Sequence, residues 1–207
     1  MLYLFLMILF FALVYLPQFW VQYMFKSNST ELDDLPGTGG QLAEYLITEL
    51  KLPDITLEQT DLGDHFDPVS QTVRLNSRFY GSKSLAAIAI AAHEVGHAIQ
   101  HCQGNSMLRV RTNLARYSVG AQKAGVLVFM IVPIFGLVFK SVQISFLLMG
   151  FSVATMILSV ILHLITLPVE LDASFGKALP LLSKGQFINQ DQIRIVRRIL
   201  MAASLTY

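Results

Sequence analysis

Polar and apolar positions along this chain fall into long blocks. The first block, Met1 to Phe25, is apolar except for Gln18 and Gln22, with Trp20 and Tyr23 near its end. It exceeds the roughly 20 residues that span a bilayer, and it has no basic opening and no small-residue cleavage site after it. It therefore reads as an uncleaved transmembrane anchor. Ala124 to Phe139 and Val142 to Leu167 are two further apolar runs, separated only by Lys140-Ser141. They predict a transmembrane hairpin with a kink at Pro133, because a helix pair in a soluble core is rarely apolar all round over such a length.

The stretches between the blocks carry shorter patterns. Lys26 to Gly40 is polar and reads as a linker. Gln41 to Leu50 predicts a helix capped by Thr38 or a neighbouring Gly, with Leu42, Tyr45, Leu46 and Leu50 on one face and Pro53 beyond its end. Ile55-Thr56-Leu57 and the alternating Thr72-Val73-Arg74-Leu75 have strand character, with a turn at Asp67-Pro68-Val69-Ser70. The second strand is expected either to pair with an extended peptide or to belong to a small structural sheet. Ala86 to Cys102 predicts a buried helix with Ser82 or Ser84 as N-cap, and Gln103-Gly104-Asn105 ends it. Met107 to Lys123 is amphipathic and basic through Arg109, Arg111, Arg116 and Lys123, which suits a solvated or headgroup-facing surface. A helix is expected to start at Pro168, and a last one to cover Asn189 to Tyr207 with Arg194, Arg197 and Arg198.

Composition narrows the class. Of the 207 residues 54% are apolar and only 14% charged, the balance of a membrane protein. A net charge of +1 and the lack of a basic cluster interleaved with aromatics argue against nucleic acid as partner. The single cysteine, Cys102, allows no internal disulfide and no cysteine-based zinc cage. The expected fold is a mainly α membrane protein, with transmembrane helices and a small α+β catalytic domain holding a short sheet. Its expected organisation is an anchor at 1–25, a catalytic domain at 26–123, the hairpin at 124–167 and a C-terminal helical part of the catalytic domain at 168–207. Lys26, Arg109, Arg111, Arg116, Lys177 and Lys184 flank one membrane face and Lys140 the other, so the catalytic face is expected in the cytoplasm.

The chemistry centres on His93-Glu94-Val95-Gly96-His97. Residues four apart share a helix face, so His93 and His97 can bind one metal ion, while Glu94 can take a proton from a water that the metal makes acidic. A glutamate between two histidines in so apolar a helix would be costly to bury without a charge partner, and a metal supplies one. A catalytic zinc usually has three protein ligands. His101 cannot be the third, because it lies about 12 Å along the helix from His93 at 1.5 Å per residue; it reads as a supporting or surface residue. The metzincin pattern fails because positions 100 and 103 are both Gln. Glu170 remains, either as the third ligand or as a glutamate favoured by a helix N-terminus. If the hairpin is real, Glu170 returns to the membrane face of the histidine pair. Tyr80 and His163 are chemically able to stabilise an oxyanion. Two uses of the site differ in class: a protease, or a membrane scaffold or adaptor with an idle or structural zinc.

Asp67-Pro68 through Val73-Arg74-Leu75, then Ala91 to His101, the apolar hairpin and Leu167-Pro168-Val169-Glu170-Leu171-Asp172-Ala173 together resemble the YugP-like neutral zinc metallopeptidases of bacteria. The similarity covers nearly the whole chain. It implies a gluzincin-like, zincin-fold metalloendopeptidase in the bacterial cell membrane, distantly similar to the HtpX and CAAX prenyl protease group, acting on membrane or misfolded polypeptides. It also implies one Zn2+ per chain held by His93, His97 and Glu170. In that wider group an Asp follows the ligand Glu by four residues; here Ser174 stands at that place and the aspartate, Asp172, is the candidate partner for a ligand histidine. Members tend to continue into a further apolar segment past the position where this sequence stops.

Overall fold

The computed structural model describes residues 16, 18–139 and 141–205, so most of the predicted anchor, and Lys140, lie outside the described residues. Among the described residues the chain is mainly helical with one small sheet, and it divides into two compact units. One holds the described residues up to Asn105 and those from Val169 onward; the other is Ser106–Pro168.

The first unit is built around helix α4 (Leu85–Cys102). Ser84 caps it by accepting a hydrogen bond from the Ala87 amide at 3.2 Å. Its many alanines favour the helix and leave low faces on which neighbours pack closely. From Leu85 to Ala98 every residue is buried, so α4 is a central helix covered on all sides. Around it stand α1 (residues 18–27), α2 (Gly39–Glu49), α3 (Ser77–Tyr80), α7 (Leu179–Lys184) and α8 (Gln190–Ser204). Capping boxes start α2 at Thr38 and α8 at Asn189, each with a glutamine three residues on. Leu75, Ile88, Leu182, Ile199 and Leu200 are at most 1% exposed and form the middle of the core.

The sheet holds β1 (Thr56–Thr60), β2 (His65–Asp67) and β3 (Thr72–Asn76) in the order β1-β3-β2. β1 runs parallel to β3, and β2 runs antiparallel to it. This placement rules out one of the two alternatives for that strand: β3 is the central strand of a small sheet, so its main-chain groups on both edges are already paired and it cannot accept an extended peptide. β2, which the sequence pattern did not predict, is an edge. Its turn into β3 is closed by Asp67, which accepts bonds from the Val69 amide and the Ser70 hydroxyl and pairs with Arg74 at 3.0 Å.

The second unit holds α5 (Ser106–Phe139) and most of α6 (Val142–Leu171). The predicted basic stretch and the first apolar run are one continuous helix, α5, which stays helical through Pro133. One helical run among the described residues, within Val142–Lys184, is long and apolar enough to cross a membrane, and its apolar window is scarcely buried. Phe146, Leu147 and Leu164 on α6 are 65–75% exposed. The predicted helix start at Pro168 is also corrected. α6 runs through Pro168 to Leu171 and passes into a π-helical segment, Asp172–Ala178. Proline lacks the amide that would bond back one turn, and the wider π turn follows directly after this loss.

The Asp67 turn gives a prediction about acid. Desolvation pushes the Asp67 carboxyl up, but bonds from Ser70, the Val69 amide and Arg74 outweigh it and hold the group at about 2, below its ordinary 3.8. A carboxyl depressed on folding adds stability above its unfolded value, and this is lost as the pH falls through the folded one. Melting temperature should therefore fall between about pH 4 and pH 2. In Asp67→Asn that component of the pH dependence should disappear, as paired thermal melts across this window would show.

Candidate metal centre

Two pieces of chain far apart in sequence form the site. α4 brings His93 and His97 to one face, with rings 4.7 Å apart and nearly perpendicular. The last turn of α6 brings Glu170, which is fully buried. Glu170 Oε2 lies 3.1 Å from His93 Nε2 and 3.4 Å from His97 Nε2. These are the two histidines and the glutamate expected as ligands, and no other such group of three His, Cys, Asp or Glu stands among the described residues.

Gly96 permits the approach. A Cβ at this position would come within 2.7 Å of the Ala173 carbonyl oxygen, so any side chain would push the π-helical segment, and Glu170 with it, off the metal helix.

Hydrogen bonds show what the cluster asks for. Gln100, fully buried on α4, donates its amide to the Val169 carbonyl at 2.9 Å and to Asp172 Oδ2 at 2.7 Å. Both are acceptors, so the Gln100 amide oxygen must face His97 Nδ1, 3.0 Å away, and can only accept. His97 Nδ1 is therefore protonated, and in neutral imidazole Nε2 then turns a lone pair towards the Glu170 carboxylate. Two electron-rich atoms 3.4 Å apart in a buried site call for a cation between them. A tetrahedral ion with bonds of about 2.0–2.1 Å holds neighbouring donors about 3.3 Å apart. The observed 3.1 and 3.4 Å fit that edge, and two imidazoles with one carboxylate form a zinc-type donor set. His93 Nδ1 meets the Ser174 hydroxyl at 2.9 Å.

Glu94 is 7% exposed and lines, with His93, a cleft of about 250 Å3. The cleft walls are mostly apolar, among them Phe25, Phe79, Ile90, Ile199 and Leu200, with Asp64 and Arg78 as its other charged groups. Burial pushes the Asp64 carboxyl above its usual value, against lowering bonds from the Asn76 amide and its own, and the charges of Arg78 and His65. The sequence reading missed Arg78 and Asp64, which sit in loops and a short helix with no motif spacing. Gln100 left a signal, since a buried polar residue in an apolar helix needs a partner.

The remaining candidates lie elsewhere. His101 packs on Phe66, with ring centres 5.5 Å apart, and meets Gln71 at 3.4 Å, so it ties the end of α4 to the sheet. Tyr80 sits with its ring against Gly40 and is not among the residues lining the Glu94 cleft. His163 is exposed on α6 within the second unit. Asp172 reaches His97 only through Gln100.

Comparison with known proteins adds independent information. The model of a family described as "Putative neutral zinc metallopeptidase" matches residues 3–207. A curated protein of Bacillus subtilis (strain 168), "Putative membrane protease YugP", is 32% identical over 195 residues, covering 91% of this chain and 83% of its own. No solved structure matches.

Gly96→Ala tests the close approach. The overlap with Ala173 should destabilise the fold by about 1–3 kcal/mol, the usual range for overpacking. Zinc affinity should fall as well, which a melt with and without zinc and a chelator competition would record.

Proposed function

Since the chain belongs to the neutral zinc metallopeptidase family, we propose that it is a membrane-anchored, gluzincin-like endopeptidase with a zincin-type catalytic unit. In this reading His93, His97 and Glu170 hold one zinc ion and Glu94 is the general base. The observation that carries the proposal is the convergence of two imidazole Nε2 atoms on one buried carboxylate oxygen at tetrahedral-edge distances.

Bound zinc would supply Lewis-acid polarisation of the scissile carbonyl and acidify the attacking water. The Glu94 carboxylate, next to His93 on α4 and facing the cleft, takes that water's proton and delivers it to the leaving amine. Arg78 brings a permanent positive charge to the same cleft, which favours it over Tyr80 and His163 for the developing oxyanion. The free edge of β2 offers main-chain groups to an extended substrate, the usual way a polypeptide is held. The apolar cleft wall takes a large apolar side chain of that substrate. Anchoring by the N-terminal block and the hairpin, with the site on the cytoplasmic face, follows from the apolar runs and the uneven spread of Lys and Arg. Membrane and misfolded polypeptides are then the substrates within reach.

Glu94→Gln should keep the zinc content and lower cleavage of an unfolded test protein by 10²-fold or more, roughly the scale of general-base catalysis. Full cleavage by this variant would rule out the assigned base. A zinc-loaded wild type that cleaves nothing would leave the scaffold or adaptor reading instead. Ala203→Leu narrows the cleft, so cleavage next to Phe or Leu should weaken relative to cleavage next to Ala in a peptide library; an unchanged preference would separate the cleft from specificity.

A further inference from the structure

A chain of hydroxyls runs from His93 to the last turn of α8. His93 Nδ1 lies 2.9 Å from Ser174 Oγ, and Ser174 Oγ lies 2.9 Å from Ser204 Oγ. The Ser204 hydroxyl donates to the Leu200 carbonyl at 2.8 Å, and the Glu170 carbonyl lies 3.5 Å from the same oxygen. Ser174 and Ser204 are both 0% exposed. Neither serine belongs to the H-E-x-x-H motif.

The two carbonyls at the far end determine the direction of every proton in the chain. A carbonyl only accepts, so the Ser204 proton is committed to it, and Ser204 Oγ is left to accept from Ser174. The Ser174 proton then points away from His93, and Ser174 Oγ must accept from His93 Nδ1–H. A neutral ring protonated at Nδ1 presents its Nε2 lone pair to Glu170. Gln100 imposes the same tautomer on His97 by a separate route. The usual carboxylate behind a metal-binding histidine is thus replaced by serines at one ring and by an amide backed by Asp172 at the other.

We propose that Ser204, acting through Ser174, is a positioning residue that holds His93 in the metal-binding tautomer, so that α8 sets the zinc affinity of a site it does not line with a ligand. The inference rests on the zinc reading above but not on peptide hydrolysis.

The test uses the full chain in detergent or lipid. Zinc affinity is measured by competition with a chromophoric chelator, and each variant is melted both metal-free and zinc-loaded. Ser174→Ala should weaken zinc binding about 10–100-fold, the range found for supporting residues of metal sites, and Ser204→Ala about tenfold. The double variant should bind no more weakly than Ser174→Ala alone, since both substitutions break one relay. Ser204→Cys, which fills similar space with a weaker hydrogen-bonding group, should fall between wild type and Ser204→Ala. Metal-free melts separate the relay from a merely structural serine: loss of the relay lowers the gain in melting temperature on adding zinc, whereas loss of a merely structural serine lowers the metal-free melt and leaves that gain unchanged. Ser204 variants with unchanged zinc affinity, or effects that add in the double variant, would overturn the relay alone. A wild type that takes up no zinc would overturn the metallopeptidase reading and the relay with it. Zinc binding with the expected losses but no proteolysis would uphold the relay and refute only the enzyme.

Discussion

A buried carboxylate facing two imidazole rings is the constraint that the rest of the first unit answers to. Glu170 is removed from water and stands within 3.4 Å of both rings, whose opposite nitrogens are already engaged. Burying charge costs several kcal/mol, and a cation between these groups offsets that cost. The surrounding architecture can be read as what it takes to hold these three groups together inside an apolar core. Alanines and Gly96 let neighbours come close to α4, while Ser84 and the capping boxes of α2 and α8 hold the packed helices in place.

The π-helical segment after Glu170 follows from the same demand. Widening the helix at Asp172–Ala178 places Ser174 under His93 while Asp172 reaches Gln100, so one short stretch supports both rings. π turns within helices are rare and tend to occur at functional positions. Here the turn carries polar groups that a strict 3.6-residue repeat would aim differently. Buried polar networks of this kind are stabilising only when every member is satisfied, and the groups behind the two rings end on main-chain carbonyls or on Asp172.

A cleft opens beside the cluster. His93 and Glu94 line it together with apolar side chains from α1, α3, α4 and α8. Asp64 and Arg78 stand in the same lining as its other charged residues. The sheet contributes an edge strand, β2, and a buried central strand, β3, which shows why strand character alone does not identify a peptide-binding edge.

Sequence by itself determined the local features. The helix repeat places residues four apart on one face whatever surrounds them, so His93 and His97 were legible as a pair, with Glu94 next to them. Ser84, Thr38 and Asn189 were legible as caps or helix boundaries, and the apolar run of α6 as long enough for a membrane. Features that join distant residues were decided by the tertiary structure. Glu170 meets His93 from 77 positions away, and no periodicity carries that information; resemblance to a family had to supply it. The same holds for Ser174 and Ser204, for Arg78 in the cleft and for β2 at the sheet edge. Their places depend on which surfaces pack together, and α6 continues through Pro168 although proline takes one hydrogen bond from the helix.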